Sequence, residues 1–416
     1  LLGPAIATAR GDASRRLAVV IGPDMDGVRR ETVAASAGAQ VFVQDQQLGT
    51  AHAVLAAREA IAEGGGDGVL VLFCDTPLLR PETIARMEGA LNAGANIVVL
   101  AFEARDPTGY GRVLTRGDGR VHAIREDRDA SADERAVRLC NGGVMAFRCA
   151  NLVGLLDRIG CDNAKGEYYL TDAIEIAVAD GLVVTSVTCD EEEVRGINDR
   201  AQLAEAEAAF QARARRAAME NGATLISPET VWFSYDTQLG RDVTVEPNVF
   251  FGPGVVVEDG VQIRANCHIE MARIGARAIV GPFARLRPGA KLGEDVHIGN
   301  FVEVKNVAVG RGAKANHLAY LGDGEVGAGA NIGAGTIFCN YDGFQKHRTI
   351  IGEGAFIGSN SALVAPITIA SGAYVGSGSV ITKDVPSDSL SVERSEQKTI
   401  TGWAARRRAR AAKAAE

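Results

Sequence analysis

A chain of 416 residues is too long for one ordinary domain, and its formal charge of −8 argues against general nucleic-acid binding. Aromatic residues supply only 5 % of the chain while glycine supplies 49 positions, a balance that suits a solenoid with tight corners. Seven scattered cysteines without a CxxC exclude a disulfide framework and a thiolate zinc site and fit a reducing cytoplasm; no segment is apolar enough to span a membrane, and no signal peptide is evident.

Residues 1–199 read as alternating strands and helices. Apolar runs at 17–21, 41–43, 69–73 and 96–100 predict strands, and 50–62 and 81–93 carry helical periodicity, the latter stopped by Gly94. The alternation predicts a parallel α/β sheet. Ligands bind outside the carboxyl ends of strands in such sheets, so Asp75, just past the third strand, is placed either to hold Mg²⁺ against phosphates or to cap its own turn. The loop 44–52 enters an apolar helix, and its N–H groups are available to a nucleotide. Residues 106–112 form a glycine-rich turn that also fits an ordinary hairpin connection. A long helix over 200–221, closed by Asn221 and Gly222, joins the two halves.

From about 223 to 386 a branched apolar residue recurs every sixth position, as in Ile274, Val280, Leu286, Leu292, Ile298 and Val304, or Ile351, Ile357, Leu363, Ile369, Val375 and Ile381. No α-helix has a period of six and a simple strand has two; a six-residue rung predicts a parallel β-helix. The phase slips across 305–321, and 339–349 reads as an inserted loop, a feature that solenoids place on one, often functional, face. His317 sits in the slip. Histidine's unperturbed pKa of about 6.5 suits acid–base work near neutrality, although a loop histidine packed on a coil fits the same position. Arg406, Arg407, Arg408 and Arg410 lie in the tail, either solvated or facing phosphate.

Several segments carry a resemblance. LGTAHA at 48–53, CDTPL at 74–78, DPTGYGR at 106–112, Glu126, NGG at 141–143, GEYYLTD at 166–172 and GIND at 196–199 are similar to the sugar-nucleotide pyrophosphorylase domain of bacterial N-acetylglucosamine-1-phosphate uridyltransferases. RLRPGA at 285–290, NFVEVK at 300–305, NHLAYLGD at 316–323, NIGAGT at 331–336 and CNYDG at 339–343 resemble the acetyltransferase half of that same two-domain family. The resemblance implies a Rossmann-like α/β nucleotidyltransferase domain (1–199, short of its N-terminal segment), a linker helix (200–222), a left-handed parallel β-helix (223–388) and a tail (389–416).

It also implies two reactions serving cell-wall and lipopolysaccharide precursors. Acetyl-CoA, as co-substrate, acetylates glucosamine 1-phosphate, and UTP then supplies the uridyl group that yields UDP-N-acetylglucosamine. By resemblance Gln44, Gly49 and Thr50 face uracil, with Phe73, Cys74 and Asp75 in the nucleotide loop. Gly111, Glu126, Asn141 and Thr171 hold the N-acetylglucosamine moiety, and Asp75 and Asn198 ligate Mg²⁺. In the second half His317 is the base, Arg287 and Lys305 take the sugar phosphate, and Tyr320 and Asn331 contact the sugar. Ala334, Asn340, Tyr341, Ser359, Ser377 and Arg394 line the acetyl-CoA site. Relatives with this repeat are trimers, so a cytoplasmic homotrimer is expected, with small-molecule substrates and neither nucleic acid nor membrane as partner.

Three departures qualify the match. Cys74 replaces the family's usual glycine and Ser377 its frequent alanine. The chain opens at Leu1 inside an apolar stretch, without the family's first strand and phosphate-cradling loop. Uridyl transfer is therefore expected of the full-length parent and not of these 416 residues. Two competing readings stay open: a nucleotidyltransferase whose β-helix is non-catalytic, and a zinc hydratase in which His268, His297 and His317 converge.

Overall fold

A computed structural model of the chain describes residues 2–11, 15–36, 38–63 and 68–414; Leu1, on which the reading of the N-terminus rests, lies outside them. The described residues form two compact units, one ending at Phe210 and one starting at Gln211.

The first unit is built on Ile97–Glu103, whose residues are all buried except Glu103. Successive side chains of a strand point to opposite faces. Ile97, Val99 and Ala101 therefore join Met145 and Phe147 in one apolar cluster, while Val98, Leu100 and Phe102 join Val144 and Ala146 in another. Burial on both faces explains the unbroken apolar run.

The sheet itself is mixed, which corrects the expectation of a parallel one. Ile97–Glu103 pairs in parallel with Val184–Cys189, but Leu139–Arg148 runs antiparallel between it and Gly68–Val71. Arg112–Thr115 and Val121–Arg125 form an antiparallel pair on the same sheet. Between residues 112 and 148 the only helix is the short Ala132–Arg135, too short to carry a parallel crossover, so these strands reverse locally. Residues 106–112 are not a hairpin either, because the strand before them pairs with Leu139–Arg148. Ala18–Ile21 and Gln40–Val43 make a separate two-stranded parallel sheet. The third strand stops at Val71, short of Phe73, and the predicted helix over 50–62 divides at Ala57 into Thr50–Ala56 and Arg58–Glu63.

Arg200–Glu220 is the long helix. Gly222, at φ +100°, closes it, with Ala223 N–H on Ala218 O and Gly222 N–H on Met219 O. Within the second unit, Gln211 is 2 % exposed and bonds both the N–H and the carbonyl of Phe233, at 2.9 and 2.7 Å.

The second unit is a parallel β-helix. Strand partners lie 17 or 18 positions apart, as in Val256 with Arg273 and Gln238 with Val256, so one coil holds three rungs. Each rung turns two side chains inward, for example Val243 with Val245, Val249 with Phe251 and Val255 with Val257, and these form one continuous core. Fully burying such a side chain stabilises the fold by about 1.5–3 kcal/mol.

The phase change proves more local than a slip across 305–321. It consists of two five-residue rungs, Val304 to Val309 and Leu321 to Val326, with regular spacing through Ala315 between them. At both places one strand runs on through the corner, as Glu303–Val309 and Tyr320–Val326. A third short rung, Ile269 to Ile274, falls at the junction of two hexad runs. The loop at 340–348 separates Ile337–Cys339 from Thr349–Ile351, stretching the coil so that Gly324 pairs with Thr349. In the tail, Trp403–Lys413 is a helix with no buried residue. Among the described residues no helix is long and apolar enough to cross a membrane.

Candidate active sites

In the first unit a set of backbone and side-chain bonds gathers the predicted nucleotide and sugar residues. Gln44 Nε2 donates to Gly49 O at 3.1 Å and lies 3.0 Å from His52 Nδ1. Gly49 takes φ +117°, and a Cβ there would sit 2.6 Å from Tyr168 O, so only glycine fits. Thr50 Oγ1 accepts the Leu170 N–H at 2.9 Å, while Ala51 N–H bonds Tyr168 O and Tyr168 N–H bonds Leu48 O. The loop before the helix is thus laced to 168–170, which carries Thr171 in beside it. Thr171 Oγ1 donates to Glu126 Oε1 at 3.3 Å, and a Cβ on Gly111 would lie 3.3 Å from that same oxygen. Asn141 N–H bonds Gly111 O at 2.8 Å, and its Oδ1 accepts from Gly143 N–H, which packs on the Phe73 ring.

Asp75 and Asn198 come together through one bond, Ile197 N–H to Asp75 O at 3.0 Å. Both side chains are exposed, as is Cys74. A carboxylate and an amide oxygen on adjoining loops are hard donors that fit Mg²⁺ with substrate phosphates completing its shell. Burial pushes the Glu126 carboxyl up, against the Thr171 bond. Burial, then the Glu175 and Glu126 charges, push Asp172 up to about 6. Sequence reasoning missed Asp172. It also missed Glu193, which is 2 % exposed and accepts from Arg80 N–H at 3.1 Å and Thr83 Oγ1 at 2.7 Å. Glu193 thereby ties the helix that follows Asp75 to the segment leading to Asn198, but in the run Glu191, Glu192, Glu193 nothing in the sequence distinguishes it from a solvated acid.

In the second unit one corner of the coil holds a column. Leu318 N–H bonds Asn300 O, Gly335 N–H bonds Leu318 O, Asn360 N–H bonds Ala334 O and Gly378 N–H bonds Ser359 O. Asn300, His317, Ala334, Ser359 and Ser377 therefore occupy successive coils at the same corner. Arg394 Nη1 donates to Ser377 O at 2.7 Å. His317 Nδ1 lies 2.6 Å from Asn300 Oδ1. An amide oxygen only accepts, so in the neutral imidazole Nδ1 carries the proton and Nε2 the lone pair.

Across the adjoining face, at the next corner, stands a charged cluster. Arg287 pairs with Glu303 at 2.8 Å, and Lys305 with Asp323 at 3.0 Å. Glu303 and Tyr320 are register neighbours on the face between the two corners. Asn340 Nδ2 donates to Asp323 Oδ2 at 2.6 Å. The inserted loop is laced internally: Asp342 accepts from Gln345 N–H, His347 Nε2 and Phe344 N–H, which hold its carboxyl far below the usual range. The loop exposes Tyr341 and Phe344 and brings Lys346 beside Lys305, whose ammonium holds Lys346 below the ordinary lysine value.

The structure thus joins Arg287, Lys305, Tyr320 and Asn340, and separately His317, Ala334, Ser359, Ser377 and Arg394. Asn331 lies on the neighbouring face, in register with Lys314 and Phe356. His268 and His297 sit in different sheets, the former stacked on Phe250. Sequence reasoning missed Asn300, Glu303, Asp323 and Lys346. Asn300 stands 17 positions before His317, one coil away, so the repeat length was the available signal.

Comparison with known proteins decides the family. Residues 1–139 match the MobA-like NTP transferase domain. Residues 271–306 and 348–383 match the bacterial transferase hexapeptide (six repeats), and 242–271 the hexapeptide repeat of succinyl-transferase. The bifunctional protein GlmU of Azorhizobium caulinodans is 58 % identical over 98 % of this chain and 91 % of its own length. The GlmU proteins of Xanthobacter autotrophicus and Paramagnetospirillum magneticum are 57 % and 53 % identical, each over 97 % of this chain and 90 % and 89 % of their own lengths. The chain belongs to the bifunctional GlmU family. The GlmU fold is a nucleotidyltransferase domain followed by a left-handed β-helix, and its chemistry is acetyl transfer from acetyl-CoA and uridyl transfer for UDP-N-acetylglucosamine synthesis.

Proposed function

We propose that the β-helix unit acetylates glucosamine 1-phosphate with His317 as general base. The observation that carries this reading is the 2.6 Å bond from His317 Nδ1 to Asn300, which leaves Nε2 as a base at the corner that also holds Ala334, Ser359 and Ser377. The neutral amine of the sugar attacks the thioester carbonyl, Nε2 takes the amine proton, and the C–S bond breaks to release coenzyme A as its thiol on reprotonation. A backbone N–H meets the oxyanion. Arg287 and Lys305 bind the phosphate, Tyr320 and Asn331 the sugar, and Ala334, Asn340, Tyr341, Ser359, Ser377 and Arg394 the acyl donor. Thiol release from acetyl-CoA, measured with glucosamine 1-phosphate, is expected to fall by about 10²–10⁴ in His317→Ala. Retained activity would remove His317 from the mechanism.

For the uridyl transfer expected of the full-length parent, the phosphate oxygen of N-acetylglucosamine 1-phosphate attacks the α-phosphorus of UTP and diphosphate leaves. Gln44, Gly49 and Thr50 orient the base, with Phe73 and Cys74 in the same loop region; Gly111, Glu126, Asn141 and Thr171 orient the sugar. Asp75 and Asn198 hold Mg²⁺, which when bound offsets charge on the phosphates. We further assign a homotrimer. Phe283, Phe301 and Leu318 stack at one corner in left-handed backbone conformations, 48–59 % exposed, and bulky apolar residues so placed call for cover by another surface. Sedimentation of the intact chain tests this. Seven free cysteines support a reducing cytoplasm.

A further inference from the structure

We infer that Asp323 is a positioning residue that couples the sugar-phosphate subsite to the acyl-donor subsite; the inference rests on the acetyltransferase reading above. Asp323 is 7 % exposed and stands at a coil corner at φ +52°. Its Oδ1 accepts from Lys305 Nζ at 3.1 Å and Asn306 Nδ2 at 2.8 Å. Its Oδ2 accepts from the same Lys305 Nζ at 3.0 Å and from Asn340 Nδ2 at 2.6 Å. One buried carboxylate therefore anchors both the cation proposed for the sugar phosphate and the amide proposed for acetyl-CoA.

The anchor is strong in both directions. Burial would raise the Asp323 carboxyl, but the bonds from Asn306, Lys305 and Asn340 outweigh it and hold the group below the ordinary carboxylate range. A carboxylate so enclosed is costly unless every donor stays in place, and donors sharing one acceptor are energetically linked. Lys305 uses two of its contacts on Asp323, which fixes where its remaining N–H points. Asn340, also 7 % exposed, spends one side-chain N–H on Asp323, which sets the orientation of its amide. The preceding Gly322 matters too: a Cβ there would lie 2.5 Å from Tyr320 Oη and 2.8 Å from Asn340 Nδ2. The strand that carries Asp323 thus also seats Tyr320.

The chemistry of Asp323→Asn is specific. An amide has one acceptor oxygen and one donor NH₂, so it faces either Asn340 Nδ2 or the Lys305 and Asn306 donors with a donor of its own. Steady-state acetyl transfer on Asp323→Asn is expected to show KM raised roughly tenfold for both glucosamine 1-phosphate and acetyl-CoA, the size expected for lost hydrogen bonds to a charged group. Lys305→Ala and Asn340→Ala supply a second measurement that needs no Asp323 variant. Each should raise KM for the other subsite's substrate as well as its own, and the double variant should fall short of the product of the two effects. Unchanged KM values in a folded Asp323→Asn, or single-residue effects confined to one substrate and fully multiplicative, would overturn the inference. His317→Ala separates the two levels: if it retains activity the acetyltransferase reading fails, whereas a dead His317→Ala beside a wild-type-like Asp323→Asn sinks only the coupling role.

Discussion

Asn300 and His317 are register partners on adjacent coils, and the 2.6 Å bond between them fixes which imidazole nitrogen is basic. Replacing Asn300 by Ala leaves the imidazole free to rotate and to exchange tautomers. Asn300→Ala should lower kcat for acetyl transfer by about 10-fold to 100-fold, the range found when a partner orienting a functional histidine is removed, with little change in KM. A KM effect with normal kcat would show that Asn300 binds substrate instead.

Lys346 projects from the inserted loop toward Lys305 and Arg287, each of which already has a carboxylate partner. A dianionic phosphate arriving there adds counter-charge to this third cation, which shares the Asp323 carboxylate with Lys305. Lys346→Ala should raise KM for glucosamine 1-phosphate by about tenfold, as expected for one charged hydrogen bond. The difference from the parent should narrow in high salt, and KM for acetyl-CoA should stay near the parent value.

Asp172, raised to about 6 from its ordinary 3.8, makes stability depend on pH. Below pH about 4 the carboxyl is protonated in folded and unfolded chains alike, and it costs nothing. Between about 4 and 6 the unfolded chain ionises this carboxyl while the folded unit keeps it protonated, so the cost grows across that window and is complete above about 6. Asp172→Asn should therefore stabilise the neighbouring helix Ala173–Ala179 at pH 8 by about 1 kcal/mol, after discounting for solvent screening. The gain should fade toward pH 4. Hydrogen exchange across 170–179 at the two pH values reads this directly.

Gly299 lies between His297–Asn300 neighbours and the coil below, where an added Cβ would fall 1.9 Å from Asn316 O. Gly312 offers a contrast: it takes φ +66° with open space around it. Gly299→Ala should lower stability by about 1–3 kcal/mol through overpacking and reduce acetyl transfer, since Asn316 precedes His317. Gly312→Ala should cost about 1–2 kcal/mol from its left-handed backbone alone and leave kcat near normal. Thermal melts and rates on the two variants separate clash from conformational strain.

The architecture was legible wherever one local rule repeats. The hexads placed the inward residues from Leu239 to Ile381, because every rung faces the same core. The mixed sheet was not, because strand direction depends on which partner the long strand Leu139–Arg148 finds, and the apolar runs look alike for either direction. Motif spacing picked out the residues proposed to touch small molecules, such as Asp75, His317 and Asn340. It passed over Asn300, Asp323 and Glu193, whose work is to hold other side chains across 17 to 113 positions of sequence. Such partners become visible only once the coil or the sheet has brought them face to face.

The five-residue rungs give chain length a chemical meaning. Asn300 meets His317, and Lys305 meets Asp323, only because the intervening segments contain a fixed number of residues, so the coil acts as a ruler. A residue inserted directly beside Asn300 or His317 would carry the imidazole past its partner. The loop at 340–348 lies outside that constraint, since it leaves the coil after Cys339 and rejoins it at Thr349. Lineages that tune this enzyme by insertion or deletion are thus expected to do so at that loop, while the segment from 298 to 326 keeps its length.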